Sequence, residues 1–312
     1  MIPATAHFLW FGSELPWIHS LSVRTAAQNG GFERVVLHHA DPLGAAELEA
    51  TRGVELRRLE PHAFLESVEH FGPGLVDVYR RLSAPAARAN VLRAALLWRE
   101  GGVYLDTDTV TLASLTPLRQ AAAFCGTERI AFPGALRWYE YGGALLRTSI
   151  RDLLRRQRDG WRLFRRIETW YPARANNAVL GAVPGHPFLG ELVRRMTKVP
   201  RSRQLVRYEL GTTLLQATLA EYRGGDVVVH DPEVFYPLGP EISEHWFRLT
   251  EDPRPSEVVG PTTRVVHWYA SVRTRRVVRD ADPDYVRRHA ARQLFSALVL
   301  PWLDDPESAV RP

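Results

Sequence analysis

Apolar positions in the first hundred residues fall into short blocks of two kinds, and the alternation of those blocks predicts the architecture. His7 to Phe11 is a continuous apolar and aromatic run ending at Gly12, which reads as a buried first strand. A helix is expected from Pro16 to Gln28, closed by Asn29-Gly30-Gly31, followed by strands at Arg34–His39 and Val54–Leu59. Between Pro85 and Glu100, the residues Val91, Leu92, Ala95, Leu96 and Trp98 recur at helical spacing until Gly101-Gly102 stops the helix. Val103-Tyr104-Leu105 then reads as a short buried strand. Strands alternating with helices predict a parallel α/β sheet. In such sheets ligands sit beyond the carboxyl ends of the strands, which is where this pattern puts Asp106-Thr107-Asp108.

Beyond Thr109 the spacing is less regular. Phe124, Ile130-Ala131-Phe132 and Gly143 to Leu146 read as strand pieces, and Pro187–Met196 and Glu209–Tyr222 as helices. Val227-Val228-Val229 and Arg264 to His267 read as late strands, and Asp284 to Leu303 as an amphipathic helix up to Pro301. No repeat or low-complexity linker interrupts the 312 residues, so one catalytic domain is expected.

Composition narrows the chemistry. A hydrophobic fraction of 45% and a charged fraction of 24% are those of an ordinary globular chain with a large core. The net charge of +5 is almost all arginine, since Lys198 is the only lysine. Arginine forks suit phosphate or carboxylate ligands, although a solvated arginine face explains the same composition. The single cysteine, Cys125, excludes an intramolecular disulfide and any multi-cysteine zinc site. The N-terminus lacks the basic head and apolar stretch of a secretory signal, and no apolar run reaches membrane-spanning length; a soluble, cytoplasmic protein is expected. Phosphate-binding P-loop, Gly-x-Ser-x-Gly and His-Glu-x-x-His signatures are absent, and Lys198 follows Arg194-Arg195-Met196-Thr197 on an exposed helix end, a poor place for a Schiff base.

Two carboxylates one residue apart, just past a buried strand, can face one hard cation of the Mg²⁺ or Mn²⁺ type. Asp-x-Asp alone also arises in ordinary turns. Its setting here, Arg93-Ala-Ala-Leu-Leu-Trp-Arg-Glu-Gly-Gly-Val-Tyr-Leu-Asp-Thr-Asp108, resembles the DXD-containing glycosyltransferases of the GT-A fold. That family includes the fungal initiating mannosyltransferase, α-1,4-galactosyl- and N-acetylglucosaminyltransferases, bacterial capsule enzymes and, more distantly, the large glucosylating toxins. Its pattern of Ser-Asp-x-x-Arg, a helix and Gly-Gly-x-Tyr-x-Asp-x-Asp is matched in register by Arg93, Gly101, Gly102, Tyr104, Asp106 and Asp108, with Asn90 standing where the family has its first Asp.

The resemblance continues at Ile2-Pro3-x-x-x-His7-Phe8-x-Trp10-Phe11-Gly12, at Asn176-Asn177-Ala178-Val179, and at Val266-His267-Trp268-Tyr269-Ala270-Ser271, where Val272 replaces a family tryptophan. It implies a single Rossmann-like GT-A domain: residues 1–112 for the nucleotide-sugar, 113–270 for acceptor and catalysis, and 271–312 a C-terminal tail and helix. It implies Mn²⁺ or Mg²⁺ on Asp106, Asp108 and His267, catalysis by Asp106, Asp108 and Asn177, and a nucleotide-sugar donor, UDP- before GDP-linked. Donor contacts would come from Trp10, Asn90, Arg93, Gly102, Tyr104, Ser271 and Arg273, and transfer would retain anomeric configuration. From the residues alone, Trp10 and His267 read equally as core groups and Asn177 as a helix cap. If the reaction inverted instead, Glu209, Glu140 or Asp231 would have to serve as base. The same metal site would also suit a nucleotide-sugar hydrolase or nucleotidyltransferase. A binding module would use the basic stretch Arg151 to Arg166 as a nucleic-acid or anionic-membrane surface; the preferred expectation is a solvated face, with docking to an acidic acceptor or membrane surface second and no nucleic-acid partner expected.

Overall fold

The computed structural model describes residues 1–51, 53–132, 138–270 and 274–303. Its strands are β1 (Thr5–Trp10), β2 (Arg34–His39), β3 (Glu55–Arg58), β4 (Gly102–Leu105), β5 (Thr109–Thr111), β6 (Ala123–Arg129), β7 (Ala173–Ala182), β8 (Val227–His230) and β9 (Val265–His267). Seven form one sheet in the order β3-β2-β1-β4-β7-β6-β8. Every neighbouring pair is parallel except those made by β7, which runs against both β4 and β6. This is the mixed, mainly parallel, helix-flanked sheet that the GT-A resemblance implies.

Side chains alternate across the strands and so divide between two cores. Phe8, Val103, Leu105, Phe124 and Val179 pack on one face with Val23 and Ala26 of the helix Trp17–Asn29. Leu9, Tyr104, Cys125 and Leu180 pack on the other with Leu92, Leu96 and Leu97 of the helix Pro85–Glu100. β4 lies between these layers and is buried at every position, which is why its sequence shows no polar alternation. A third cluster, around Trp161, Trp246, Trp268 and Phe295, joins the later helices to β5 and β9 through Val110 and Val266. β5 pairs antiparallel with β9, so the chain on either side of position 112 shares a sheet.

Several later elements differ from the sequence reading. Gly143 to Leu146 lies inside the helix Tyr141–Arg156, and Ile130 to Phe132 lies beyond the end of β6. A short apolar run does not by itself distinguish helix from strand. The final helix is broken into Pro283–His289, Leu294–Val299 and a 3₁₀ turn at Leu300–Trp302. At the break, Gln293 donates from Nε2 to the Phe247 carbonyl at 2.9 Å. The segment Glu209–Thr213 is a π-turn that precedes the helix Leu214–Glu221.

Beneath the amino end of β4, His7 and His38 form a buried pair, with His7 Nδ1 and His38 Nε2 3.0 Å apart and His7 Nε2 on the Gly101 carbonyl at 3.1 Å. Burial pulls His7 down to about 4 and His38 down to about 3. Both folded values lie below the unfolded one, so the unfolded chain binds more protons once the pH falls under about 6.5. Stability is therefore full above that pH and is lost progressively below it, by about 2 kcal/mol per histidine at pH 5 if the two act independently. The melting midpoint is expected to fall by several degrees between pH 7 and pH 5, and to fall less in His38→Gln. A midpoint flat over that range would contradict the assignment.

Candidate active site

The Asp106-Thr107-Asp108 turn is fixed from three sides. The Asp106 amide donates to the Ala178 carbonyl at 2.9 Å, continuing the pairing of β4 with β7, and Thr109 Oγ1 donates to the Asp106 carbonyl at 2.8 Å. From the helix Trp17–Asn29, Ser22 Oγ donates to the Thr107 carbonyl, and His19 Nδ1 meets the same oxygen at 2.9 Å. The Trp268 amide donates to the Asp108 carbonyl at 2.9 Å, one step beyond the β5–β9 pairing. The two carboxylates are thus held by the backbone on both sides of the sheet's carboxyl edge.

Each carboxylate has its own partner. Tyr104 Oη donates to Asp106 Oδ1 at 2.8 Å, and Arg93 Nη2 stands 3.0 Å from the same oxygen. Asp108 Oδ1 is 2.9 Å from His267 Nε2, and Asp108 Oδ2 accepts the Ala270 amide at 2.8 Å. Burial raises the Asp106 carboxyl; Arg93 pulls against the rise and Asp108 adds to it, leaving the group above its ordinary value. For Asp108, burial is outweighed by the charge and hydrogen bond of His267 and by the Ala270 amide, which hold it down at about 2. His267 mirrors this: burial would lower it, but Asp108 holds it above its ordinary value.

One ligand atom each from Asp106, Asp108 and His267 lie within 4.8 Å of one another. Two carboxylates and an imidazole are a donor set for Mn²⁺ or Mg²⁺, and ligation requires His267 to be neutral. Asp106 and Asp108 keep 26% and 16% of their side chains exposed, so the carboxylates reach solvent, while His267 at 7% is the most buried of the three. The residues fit a divalent cation with open positions for substrate oxygens.

The surrounding residues separate into two groups. Trp10 ends β1 half-buried, its indole nitrogen donating to the Glu14 carbonyl at 3.0 Å and its ring 4.9 Å from His19. It therefore stands one residue away from the turn, with His19 between it and the Thr107 carbonyl. Asn177 Nδ2 donates to Asn90 Oδ1 at 2.9 Å, which places this pair beside Arg93, whose Nη1 donates to the Asn177 carbonyl. Gly211 approaches Asn90 so closely that a Cβ there would lie 2.8 Å from the amide nitrogen, so the π-turn packs on the same corner.

Three of the residues expected to contact the donor are buried. Arg93 is 6% exposed, lies 4.4 Å over the Tyr104 ring and is engaged with Asp106 and with the Asn177 carbonyl. Tyr104 is 1% exposed and reaches Asp106 through its hydroxyl. Gly102 begins β4, at the end opposite Asp106, where with φ 92° a Cβ would meet the Thr5 carbonyl at 2.6 Å; it permits the approach of β1 and is not at the site. Ser271 and Arg273 lie outside the described residues.

The sequence reading missed Glu128, and quoted Asn176 and Tyr269 within matched segments without giving either a role. Glu128 is 8% exposed, and its Oε2 accepts from Asn176 Nδ2 and from Tyr269 Oη, each at 2.7 Å. A carboxylate within a strand gives no signal of this kind in sequence.

The basic stretch Arg151 to Arg166 proves to be largely an internal clamp. Arg151 pairs with Glu241 at 2.7 Å, Arg155 with Glu244 at 3.2 Å and Arg162 with Glu257 at 2.7 Å. These arginines tie the helices Tyr141–Arg156 and Gly160–Ile167 to the 241–257 segment. Among the described residues no helix is long and apolar enough to cross a membrane.

Residues 26–125 match the family model described as the glycosyltransferase sugar-binding region containing a DXD motif. The matched segment carries Asn90, Arg93, Tyr104, Asp106 and Asp108, so the resemblance drawn from those residues stands. No curated protein matches the sequence. Among solved structures, the chain is similar to PaToxG glycosyltransferase at 14% identity, covering 70% of this chain and 69% of that one with a TM-score of 0.47. It is also similar to mouse xyloside xylosyltransferase 1 at 9% identity, covering 86% and 98%, TM-score 0.44. A third is galactosyltransferase LgtC in complex with donor and acceptor sugar analogues, at 14% identity, covering 84% and 86%, TM-score 0.37.

Proposed function

We propose, from the premise that residues 26–125 carry a glycosyltransferase sugar-binding region, that this enzyme moves a hexose-type sugar from a nucleoside-diphosphate donor to an acceptor hydroxyl, with Asp106, Asp108 and His267 holding a divalent cation. The observation that carries this reading is the convergence of those three ligand atoms at the carboxyl edge of β4. When bound, the cation supplies Lewis-acid stabilisation of the diphosphate leaving group.

The chain's own residues do the rest. Arg93 and Tyr104 fix the rotamer of Asp106, and the Ala270 amide fixes that of Asp108. Trp10 offers a half-exposed indole face for the nucleotide base, UDP before GDP. Asn90 and Asn177, already hydrogen-bonded to each other, present amide groups to the donor sugar. Of the three carboxylates considered for an inverting base, Glu209 is paired with Arg203 at 2.7 Å, and Asp231 precedes the short helix Pro232–Phe235 on the surface. Glu140 is exposed at the start of the helix Tyr141–Arg156. A front-face transfer with retention, in which the leaving phosphate takes the acceptor's proton, needs no such base.

Incubation with UDP- and GDP-linked hexoses and Mn²⁺ tests the reading. Nucleoside diphosphate should be released slowly without acceptor, stop when EDTA is added, and resume when Mn²⁺ is restored in excess. Release that ignores chelation, or no binding of any nucleotide-sugar, would overturn it.

A further inference from the structure

We propose that Glu128 is a positioning residue that locks the metal cluster and the Asn177 corner into one geometry; this rests on the reading above. β6 and β7 pair regularly up to Cys125↔Leu180, but the next pair is Gly126↔Asn176, so Asn177, Ala178 and Val179 bulge from the ladder. A bulge re-aims side chains and leaves backbone groups needing partners. Here the Ala178 amide donates to Asn176 Oδ1 at 2.7 Å and the Val179 amide to Tyr236 Oη at 3.2 Å. The Ala178 carbonyl takes the Asp106 amide. The bulge thus carries Asn177 and also supports the first metal carboxylate. Its shape depends on the Asn176 amide, whose Nδ2 is held by Glu128 Oε2.

The same Glu128 oxygen holds Tyr269 Oη on the other side. Tyr269 adopts a left-handed backbone, φ 59°, unusual for a tyrosine and sustained only where surroundings fix it. Its ring lies edge-on to His267 with centroids 4.0 Å apart, and the following amide, of Ala270, is the one that binds Asp108 Oδ2. One buried oxygen therefore joins the strand that aims Asn177 to the segment that places His267 and Asp108. The residues it links lie 48 and 141 positions away in the chain. Neither bond goes to a metal ligand, so the hydrogen bonds of Glu128 reach the site through Asn176 and Tyr269, and only its charge bears on His267 directly.

Calorimetric titration of the full chain with Mn²⁺, without nucleotide, reads this directly. Glu128→Ala removes both bonds and should weaken Mn²⁺ binding at least tenfold. Glu128→Gln should recover it to within about threefold, since an amide oxygen can accept both bonds. Tyr269→Phe removes one bond with little change of volume and should weaken binding at least threefold, and its effect should not add to that of Glu128→Ala. If Glu128→Ala does not fold, the Tyr269→Phe result decides. Mn²⁺ affinity within twofold of the parent in Tyr269→Phe or Glu128→Ala, or a Glu128→Gln as weak as the alanine variant, would overturn the proposal. Asp108→Asn in the same titration separates the two ideas: undiminished Mn²⁺ binding there defeats the metal site itself, whereas its loss alongside intact binding in Tyr269→Phe defeats only the role of Glu128.

Discussion

Asp108→Asn is expected to lower sugar transfer on the order of 10³-fold while leaving the fold in place. The amide is the same size; its oxygen can still accept the Ala270 amide while its NH2 donates to Nε2 of a neutral His267, so both contacts that shape the turn can persist. What disappears is one of two negative charges facing the cluster. A hard cation held by oxygen donors depends on that charge. Loss of Lewis-acid stabilisation of a leaving diphosphate is worth several kcal/mol, and about 4 kcal/mol corresponds to three orders of magnitude in rate. Steady-state release of nucleoside diphosphate, with circular dichroism to verify folding, measures both sides. Turnover within tenfold of the parent enzyme would show that the carboxylate pair does not carry the chemistry.

Arg93→Ala is expected to be the most destabilising change near the site. The guanidinium is 6% exposed, and its removal leaves the buried side of Asp106 and the Asn177 carbonyl without their donor. Breaking one partner of a buried ion pair costs about 3–5 kcal/mol. Arg93→Lys should recover only part of this, because an ammonium cannot serve Asp106 and Asn177 as a fork or lie flat on the Tyr104 ring. Urea midpoints with equal m-values would measure the difference. A midpoint unchanged in Arg93→Ala would mean that the pair contributes nothing to the fold and that Asp106 is oriented by Tyr104 alone.

The first third of the chain was readable because its signals are local. β1, β2, β4 and the helix Pro85–Glu100 are contiguous apolar patterns with glycine stops, and Arg93, Tyr104, Asp106 and Asp108 lie within sixteen positions of one another on a helix, a strand and a turn. β7 was not readable. Its central Asn176-Asn177 resembles a turn by composition, and the segment becomes a strand only because β4 and β6 flank it. Gly143 to Leu146 failed in the opposite direction, four residues too few to show a period. Arg93 lies on the expected helix and reaches Asp106, but spacing along a helix does not say that the sheet covers it. His267 was reached by resemblance and stands 159 positions from Asp108, a distance no periodicity bridges. Glu128 had no signal at all: its contacts are Asn176, inside β7, and Tyr269, two residues past the end of β9.

The central claim is that Asp106 and Asp108 join a cation to a diphosphate, and paramagnetic broadening of the ³¹P resonances of UDP by protein-bound Mn²⁺ measures it most directly. Addition of substoichiometric Mn²⁺ to the protein with UDP should broaden both phosphorus signals beyond the effect of free Mn²⁺, and the excess should vanish in Asp108→Asn. Equal broadening with the parent protein, the variant and no protein at all would contradict the account.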